Sequence, residues 1–527
     1  MQNKKVLVSD PLAEPGLEIL RKELSVETRY DLSPDQLIDV IPGYDALIVR
    51  SGTQATGAVI EAGTRLQVIG RAGVGVDNID VGAATQRGIV VVNTPTGNTL
   101  AAAEHAIALM ISLARNIPQA NAALRAGRWD RKQYTGVELR EKTLGILGMG
   151  RVGSEVGRRA RALGMEVLGY DPFVTRERVQ QMGAQPVTLA ELAERADFIT
   201  LHTPLNDTTL HLIGEEFLRQ AKQGLRIINT ARGAIIDEDA LLAALEDGRV
   251  AGAALDVFSE EPPPPDNPLV MHPHVVATPH LGASTREAQI SVSVDVAQQV
   301  LAVLRGDLAE HALNMPMVPP DTLQVLLPFV DLAEKLGSFV GQLAAGQFGD
   351  LRIVYGGSLA ALDTTLLRAV IVKGVLEHAS ADRINLVNAD LIARRHGLKV
   401  TEEHSHEIGS YTNLVSVSLT SGEQEHQVAG TISLDEARIV EIGPYRLDFE
   451  PAGRFLVLQN LDRPGMIGAV GMTLGKHDIN IAFMAFGRKT PREDAIMVLT
   501  LDEDLPDQVV DEIWAIPDMW DLKYVII

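Results

Sequence analysis

The stretch TLGILGMGRVG at residues 143–153 is an aliphatic run followed directly by the spacing Gly-x-Gly-x-x-Gly. The run predicts a buried β-strand, and a helical pattern begins at Arg151, so the glycines fall in a strand-to-helix turn. Gly148 would permit the tight turn, Gly150 would let a pyrophosphate approach the backbone, and Gly153 would let the helix pack on the strand. The helix N-terminus would face the phosphates. The stretch therefore predicts a dinucleotide-binding βαβ unit.

An acidic residue, Asp171, ends the next strand candidate, EVLGYD at 166–171. A carboxylate at this place accepts a hydrogen bond from the ribose 2′-hydroxyl and repels a 2′-phosphate, which favours NAD over NADP. Arg176 and Arg178 follow closely and weaken that preference. The alternative is a glycine-rich turn that only packs. Because strand, helix and spaced acid occur together, dinucleotide binding is the preferred interpretation.

Composition limits the classes of function that remain. The chain has 527 residues, which at about 150 residues per domain predicts three or four domains. Its formal net charge of −22 argues against a surface that binds nucleic acid or an anionic membrane. The absence of cysteine excludes disulfides, thiolate nucleophiles and cysteine-ligated metal centres. No apolar run is long enough for a signal peptide or a spanning helix, so we expect a cytoplasmic location.

The first 300 or so residues alternate β-branched runs with helical patterns, which predicts an α/β fold with two Rossmann-like, doubly wound lobes. A helical pattern over 98–126 would lead from the first lobe to the second, and another over 284–304 would return the chain. We therefore expect a discontinuous substrate-binding lobe (1–97 plus 286–315) and a nucleotide-binding lobe (98–285). The strand candidates lie at 6–10, 46–51, 67–73, 89–93, 143–148, 166–171, 197–202, 225–231 and 250–258.

The rest of the chain, from residue 316 onward, shows a different pattern of helical and strand-rich segments. Residues 316–450 mix a helical stretch at 329–345 with strand-rich segments and predict an α+β intervening domain. Residues 453–527 read as strand, helix, two strands, helix and strand, which is the ferredoxin-like βαββαβ order.

Three residues of the nucleotide-binding lobe follow predicted strands and suit hydride chemistry on an alcohol. Arg232 follows LRIINTA, Glu261 follows VAGAALDVF, and His280 follows a further short strand. Because ligands of parallel sheets bind at the carboxyl ends of the strands, the three side chains could converge. A histidine paired with a carboxylate suits general acid–base catalysis, and a guanidinium suits a carboxylate substrate. Each residue alone could equally be structural or surface.

Three segments around these residues resemble signatures of the D-isomer-specific 2-hydroxyacid dehydrogenases: NTARGAIID at 229–237, DVFSEEP at 256–262 and TPHLGAST at 278–285. The resemblance implies that His280 is the acid/base, that Glu261 orients and charges it, and that Arg232 holds the substrate carboxylate. It implies NAD as cofactor. The cofactor-binding residues that motif and resemblance together indicate are Gly148, Gly150, Arg151, Val152, Gly153, Asp171, Thr203, Thr230, Ala231, Asp256 and Val74.

The first lobe resembles the long-form branch of that family, in VRSGT at 49–53, GRAGVGVDNID at 70–80 and NTPTGNT at 93–99. The resemblance implies oxidation of 3-phospho-D-glycerate to 3-phosphooxypyruvate, which opens the phosphorylated route to L-serine. A phosphorylated acid needs cations beyond Arg232, and arginine suits phosphate. The alternatives are another D-2-hydroxyacid dehydrogenase, acting on 2-hydroxyglutarate or glycerate, and a non-catalytic sensor of NAD or an amino acid. The expected substrate-binding residues are Arg50, Ser51, Arg71, Gly73 and Asn98.

The tail resembles an ACT domain, chiefly in LDRPGMIG at 461–468. This implies an amino-acid effector, L-serine, with contacts at Asn460, Asp462 and Asn480. The resemblance also implies a homodimer or homotetramer, and it places Trp129 and Arg131 near a subunit interface. His404 and His406 would face one side of a strand, but without a third ligand they do not predict a metal site.

Overall fold

Four β-sheets organise the residues that the computed structural model describes, which are 4–345, 349–378, 383–407 and 411–527. The chain divides into two compact units. Unit 1 comprises Met1–Ile79 and Val92–His311, and unit 2 comprises Asp80–Val91 and Ala312–Ile527. Unit 1 holds the predicted nucleotide site.

The first sheet has the strand order β2-β1-β3-β4-β5, and β1, β2, β3 and β4 pair in parallel. Strand β3 is buried along its whole length, which explains its continuous aliphatic sequence. Strand β2 is a mostly exposed edge strand without such a run, so the aliphatic pattern does not reveal it. The elements are β1 (Lys5–Val8), α1 (Glu14–Arg21), β2 (Ser25–Thr28), α2 (Pro34–Val40), β3 (Ala46–Val49), α3 (Gly57–Ala62), β4 (Val68–Arg71), α4 (Val81–Gln86) and β5 (Val90–Val92).

The single helix predicted over 98–126 is wrong: the segment forms α5 (Thr99–Ala114) and α6 (Ile117–Arg125), which meet at a bend of 63°. Asn116 has the left-handed φ of 52°, and Pro118 in the first turn of α6 lacks the amide that would continue α5. Within the part of the chain that the structure describes, no single helix is long and apolar enough to cross a membrane. The α5–α6 pair meets that criterion only when the two helices are joined across the bend.

The second sheet has the order β12-β11-β10-β9-β6-β7-β8, and its strands pair in parallel. The order changes direction at β6, which lies between β7 and β9, so a ligand crevice forms at the end of β6. This confirms the doubly wound arrangement. The elements are β6 (Thr143–Leu147), α7 (Arg151–Ala162), β7 (Glu166–Tyr170), α8 (Arg176–Gln181), β8 (Gln185–Pro186), α9 (Leu189–Arg195), β9 (Phe198–Leu201), α10 (Glu215–Gln220), β10 (Leu225–Asn229), α11 (Glu238–Glu246), β11 (Val250–Leu255), α12 (Pro268–Met271) and β12 (Val275–Ala277).

Helix α13 (Arg286–Arg305) returns the chain to the first sheet, as the pattern over 284–304 predicts. Thr285 caps its N-terminus by accepting a hydrogen bond from Ala288 N. The Oγ of Ser293 in α13 accepts a hydrogen bond of 3.1 Å from Gly16 N in α1. The return helix therefore completes the first lobe.

In unit 2, a mixed sheet has the order β14-β13-β15-β16-β17-β18, in which β13 and β14 pair in parallel and the other neighbours antiparallel. The helix predicted over 329–345 is the second part of a longer amphipathic helix, Pro320–Leu343. The elements are α14 (Pro320–Leu343), β13 (Asp350–Gly357), α15 (Thr365–Glu377), α16 (Ala389–Arg395), β14 (Lys399–Ser405), β15 (Asn413–Ser421), β16 (Gln424–Ser433), β17 (Glu436–Ile442) and β18 (Tyr445–Phe449).

The last sheet confirms the βαββαβ prediction. Its order is β20-β21-β19-β22 with antiparallel pairing, and its two helices cover one face around Val470 and Ile513. The first helix begins just after Gly465, whose φ of 98° lies in the left-handed region. The elements are β19 (Arg454–Leu461), α17 (Met466–Lys476), β20 (Ile481–Arg488), β21 (Asp494–Leu501), α18 (Asp507–Trp514) and β22 (Met519–Ile526).

Candidate active site

The glycine-rich turn lies between β6 and α7, where the sequence predicts it. Gly148 has a φ of 92°, and a Cβ there would lie 2.5 Å from the carbonyl oxygen of His202. A Cβ at Gly153 would lie 2.0 Å from the carbonyl oxygen of Gly148. A Cβ at Gly150, by contrast, would meet nothing within 4 Å. Two glycines therefore serve close packing, and the third borders open space at the start of α7, where a pyrophosphate would bind.

A cavity of about 450 Å³ adjoins the end of β7 and includes Asp171 and Arg176 in its wall. The two carboxylate oxygens of Asp171 accept hydrogen bonds of 2.9 Å from the backbone N–H groups of Met149 and Phe173. These bonds fix the carboxylate at the strand end, where ribose hydroxyls can donate to its remaining lone pairs. Arg178 instead donates to Gln181 on its own helix.

Two buried hydroxyls in this lobe lack a partner among the described residues: Oγ1 of Thr203 and Oγ1 of Thr230. A buried hydroxyl without a hydrogen bond is costly, so both indicate a polar ligand. Asp256 is buried, and its carboxylate binds the side chain of Thr278 at 2.5 Å. Together with the open space at Gly150, these groups fit a dinucleotide.

His280 and Glu261 form the acid–base pair that the sequence motifs predict. Nδ1 of His280 lies 2.7 Å from Oε2 of Glu261, and Oε1 of Glu261 accepts a hydrogen bond of 3.1 Å from Phe258 N. Burial raises the pKa of Glu261, but the hydrogen bond and charge of His280 outweigh it, so the pKa lies below its usual value. Glu261 is therefore an ionised acceptor that orients the ring, and Nε2 of His280 is the nitrogen available for proton exchange.

The guanidinium of Arg232 is held by two protein acceptors. Its Nε donates to Oδ2 of Asp77 at 2.8 Å, and its Nη1 donates to the carbonyl oxygen of Ala231 at 2.7 Å. Its Nη2 lies so close to Gly75 that a Cβ there would be 1.6 Å away. The backbone thus leaves space for the guanidinium beside the cavity.

Arg71 lies close to two other cations, Arg50 and Arg232. Its burial, followed by the charges of Arg232 and Arg50, lowers the pKa of Arg71 to about 10. The group stays cationic at neutral pH, and its buried Nε has no hydrogen-bond partner among the described residues. Its Nη1 donates to the carbonyl oxygen of Ala72 at 2.9 Å. Arg232 and Arg50 act on the half-buried Arg71 more strongly than the carboxylates Asp77 and Asp10 do, and such an incompletely paired cation favours binding of an anion.

One cavity of about 460 Å³ brings together the three predicted catalytic residues, three of the five predicted substrate-binding residues and two of the predicted cofactor-binding residues. Arg50 and Gly73 are not part of its wall: Arg50 donates from Nη1 to the carbonyl oxygen of Pro11 at 3.3 Å, and a Cβ on Gly73 would lie 1.7 Å from Nη1 of Arg71. The predicted residues in the wall are Ser51, Arg71, Val74, Asn98, Thr230, Arg232, Glu261 and His280.

Sequence reasoning missed several residues that shape this cavity. Oδ2 of Asp10 accepts a hydrogen bond of 2.5 Å from Arg50 N, and Nδ2 of Asn78 donates to the carbonyl oxygen of Arg50 at 2.7 Å. Asp77 accepts a hydrogen bond from the guanidinium of Arg232, and the ring of His105 is hydrogen-bonded to the carboxylate of Asp256. Asp77 and Asn78 lie within the segment GRAGVGVDNID at 70–80. His105 is a polar residue in a helix rich in alanine and leucine, and this contrast is the sequence signal that points to it.

In unit 2, the three residues predicted to bind an effector have separate partners. Asn460 is buried, and its Oδ1 has no partner among the described residues. Oδ2 of Asp462 accepts a hydrogen bond of 2.7 Å from Nη1 of Arg488. Nδ2 of Asn480 donates to Oδ2 of Asp502 at 2.6 Å.

Three further residues of the sequence predictions lie outside these sites. The side chain of Trp129 is largely exposed, and Arg131 begins a short 3₁₀ turn. The ring of His404 packs against Tyr355 with centroids 5.4 Å apart. Across the described ranges, no group of three or more potential metal ligands occurs.

Comparison with known proteins places this geometry in a class. Residues 107–282 match the model of the D-isomer specific 2-hydroxyacid dehydrogenase NAD binding domain. A crystal structure of D-lactate dehydrogenase from Aquifex aeolicus, complexed with NAD and lactic acid, is 28% identical with a TM-score of 0.54, over 60% of this chain and 100% of that one. The fold and site therefore define an NAD-dependent D-isomer-specific 2-hydroxyacid dehydrogenase.

The rest of the chain narrows the class. Residues 325–443 match the D-3-phosphoglycerate dehydrogenase intervening domain, and residues 454–518 match the ACT domain. D-3-phosphoglycerate dehydrogenase of Methanocaldococcus jannaschii is 45% identical over 99% of both chains, and that of Bacillus subtilis is 44% identical over 99% of both. The chain belongs to the D-3-phosphoglycerate dehydrogenase family.

Proposed function

We propose that this dehydrogenase oxidises 3-phospho-D-glycerate to 3-phosphooxypyruvate, the reaction that opens the phosphorylated route to L-serine. The observation that carries the proposal is the half-buried Arg71, whose buried Nε lacks a partner among the described residues and whose neighbours Arg50 and Arg232 are also cations. One arginine suffices for a carboxylate, so the additional cations fit a second anionic group on the substrate.

The residues that line the cavity have separate roles in the reaction. Arg232 binds the substrate carboxylate and Arg71 attracts the phosphate, while Arg50, which lies outside the cavity wall, adds positive charge near Arg71. His280, held by Glu261, accepts the hydroxyl proton at Nε2. Bound NAD supplies the hydride acceptor. Because the carboxylate and the hydroxyl are held by two different side chains, the orientation of the C2 hydrogen is restricted, as hydride transfer to a bound cofactor would require.

The test is the initial rate of NADH oxidation with 3-phosphooxypyruvate, hydroxypyruvate and 2-oxoglutarate, measured in wild type, Arg71→Gln and Arg65→Gln. Arg65 is a matched control because it pairs with Asp45 instead of lining the cavity. We expect wild type and Arg65→Gln to prefer the phosphorylated acid, and Arg71→Gln to lose about 10- to 100-fold in kcat/KM for that substrate alone.

The same measurement separates the alternatives. Preference for 2-oxoglutarate or hydroxypyruvate would retain the chemistry and refute the phosphorylated substrate. NADH binding without turnover of any acid would favour a non-catalytic sensor. The paired His280 and Glu261 disfavour that alternative, because a sensor has no need of a proton-exchanging pair beside the substrate cations.

An amino-acid effector, L-serine, is a second part of the proposal. The buried Oδ1 of Asn460 has no partner, and the carboxylate of Asp462 is an acceptor for an ammonium group, although Arg488 now binds it. Titrating the reduction rate with L-serine, L-alanine and glycine tests this. Inhibition by L-serine that disappears in Asn460→Ala, with unchanged basal rate, is expected; equal rates with and without each amino acid would refute it.

We also propose a homodimer or homotetramer. The exposed Trp129 and Leu124 give the second lobe an apolar surface suited to a subunit contact. Light scattering after size-exclusion chromatography checks the mass, and a monomer at micromolar concentration would refute the proposal. The cytoplasmic location stays a prediction from the sequence.

A further inference from the structure

The imidazole of His105 reaches from α5 to a buried carboxylate beside the active site. Its Nε2 lies 3.0 Å from Oδ1 of Asp256 and 3.3 Å from Oγ1 of Thr278. The carboxylate of Asp256 is fully buried. Because an ionised carboxylate only accepts hydrogen bonds, Nε2 of His105 is the donor. His105 therefore contributes a charge-compensating hydrogen bond from an element that does not carry the reacting residues.

Asp256 is the anchor of the turn that carries His280. Its backbone oxygen accepts a hydrogen bond of 2.9 Å from His280 N. Its Oδ1 accepts one of 2.8 Å from Leu281 N, and its Oδ2 accepts one of 2.9 Å from Gly282 N. Three consecutive amides thus bind one residue, so the orientation of this carboxylate fixes the path of the turn.

The turn needs such support because His280 has a φ of 54°, in the left-handed region that non-glycine residues rarely adopt. A backbone in this region persists only where surrounding contacts determine it. The direction in which the His280 ring leaves the backbone, and hence its contact with Glu261, depends on that conformation.

We propose that His105 is a positioning residue, which holds the Asp256 carboxylate in the orientation that keeps the His280 turn in its reactive geometry. The inference rests on the proposed role of His280 in proton transfer. Burial raises the pKa of Asp256, but the hydrogen bonds from His105 and Thr278 outweigh it and lower the pKa, which is consistent with an ionised anchor. Without His105, one oxygen of the buried anion loses a donor and the carboxylate gains freedom to rotate.

A merely structural histidine would also pack α5 against the sheet, so the test compares three variants of the full-length protein. His105→Leu removes the donor and keeps the volume. His105→Gln places an amide N–H near the position of the imidazole Nε2. Leu109→Ala removes a buried side chain one turn along α5, in the hydrophobic core, and reports the effect of lower stability alone.

The first readout is the split between kcat and KM at saturating NADH. His105→Leu is expected to lower kcat about tenfold and to leave KM for 3-phosphooxypyruvate within twofold, because the arginines are untouched. His105→Gln is expected to recover most of kcat, and Leu109→Ala to lower the Tm without changing kcat. Wild-type kcat in His105→Leu, no rescue by glutamine, or an equal loss in Leu109→Ala would overturn the proposal.

The second readout is amide hydrogen exchange of the segment 279–284, which needs no turnover. The amides of Leu281 and Gly282 are expected to exchange about tenfold faster in His105→Leu than in wild type or Leu109→Ala. Unchanged exchange would overturn the proposal. Wild type that fails to reduce 3-phosphooxypyruvate would refute the proposed function, and the exchange result would still decide the role of His105.

Discussion

Asp77 and Arg232, which belong to different lobes of unit 1, are joined by a hydrogen bond of 2.8 Å from Nε of the arginine to Oδ2 of the aspartate. The protein thus supplies a carboxylate to the guanidinium that we assign to the substrate carboxylate. Both residues line the same cavity. An entering substrate must therefore share this guanidinium with Asp77 or displace it.

Asp77→Asn is expected to lower KM for the 2-oxo acid several-fold, because it removes a competing anion and a repulsive charge from the cavity. KM for NADH should stay unchanged. Steady-state kinetics check this, with Asp80→Asn as control, since Asp80 caps α4 and asparagine can take over that cap. A higher KM in Asp77→Asn would mean that Asp77 orients the guanidinium instead of competing for it.

His280→Ala is expected to reduce kcat about 10²- to 10⁴-fold, because the proton then has no positioned acceptor. The Kd for NADH should stay near its wild-type value, since the glycine-rich turn and Asp171 are unaffected. Stopped-flow turnover and NADH fluorescence titration measure the two quantities. Retention of full activity would exclude His280 as the acid/base.

Glu261→Gln is expected to move the pH dependence of the rate to lower pH. The pKa of Glu261 lies below its usual value, so this carboxylate is ionised throughout the pH range of the assay. Its negative charge stabilises the protonated His280. Without the charge, the imidazolium loses its proton more readily, and reduction falls at a lower pH. Profiles of kcat/KM between pH 5 and 9 measure the shift; coincident profiles would show that Glu261 does not act through His280.

The glycine-rich turn gives a matched pair of variants. Gly150→Ala points a methyl group into open space and should leave Tm unchanged while weakening NADH binding, because that space is assigned to the pyrophosphate. Gly153→Ala brings a Cβ to 2.0 Å from a backbone oxygen and should cost about 1–3 kcal/mol of stability. Thermal denaturation and NADH titration distinguish them. Equal effects of the two variants on Tm would contradict the assignment of Gly153 to close packing and of the space at Gly150 to the pyrophosphate.

Much of the fold follows from the local pattern. The strands of the second sheet are buried on both faces and read as continuous aliphatic runs, so β6 and β7 could be located to within a residue. The bend at Asn116 could not be predicted in the same way, because it depends on one left-handed residue inside an otherwise helical pattern. The exposed strand β2 carries no apolar run at all.

In the candidate site, too, some residues could be predicted from local sequence motifs and others only from the folded structure. Arg232, Glu261 and His280 were found through motifs at strand ends, where the parallel topology brings them into one cavity. The contact of Arg232 with Asp77 depends on how the two lobes of unit 1 meet, which no local pattern encodes. His105 binds Asp256 across 151 positions of sequence, so only the folded helix reveals its role.

The return of α13 to the first sheet has a consequence for synthesis of the chain. Val296 and Val300 of α13 cover Gly70 in β4, where a Cβ would meet both side chains at 2.8 Å. A ribosome must therefore translate the whole nucleotide lobe before it delivers the helix that covers β4. Until then the nascent first lobe carries an uncovered apolar face, so chaperone demand should peak before α13 leaves the exit tunnel.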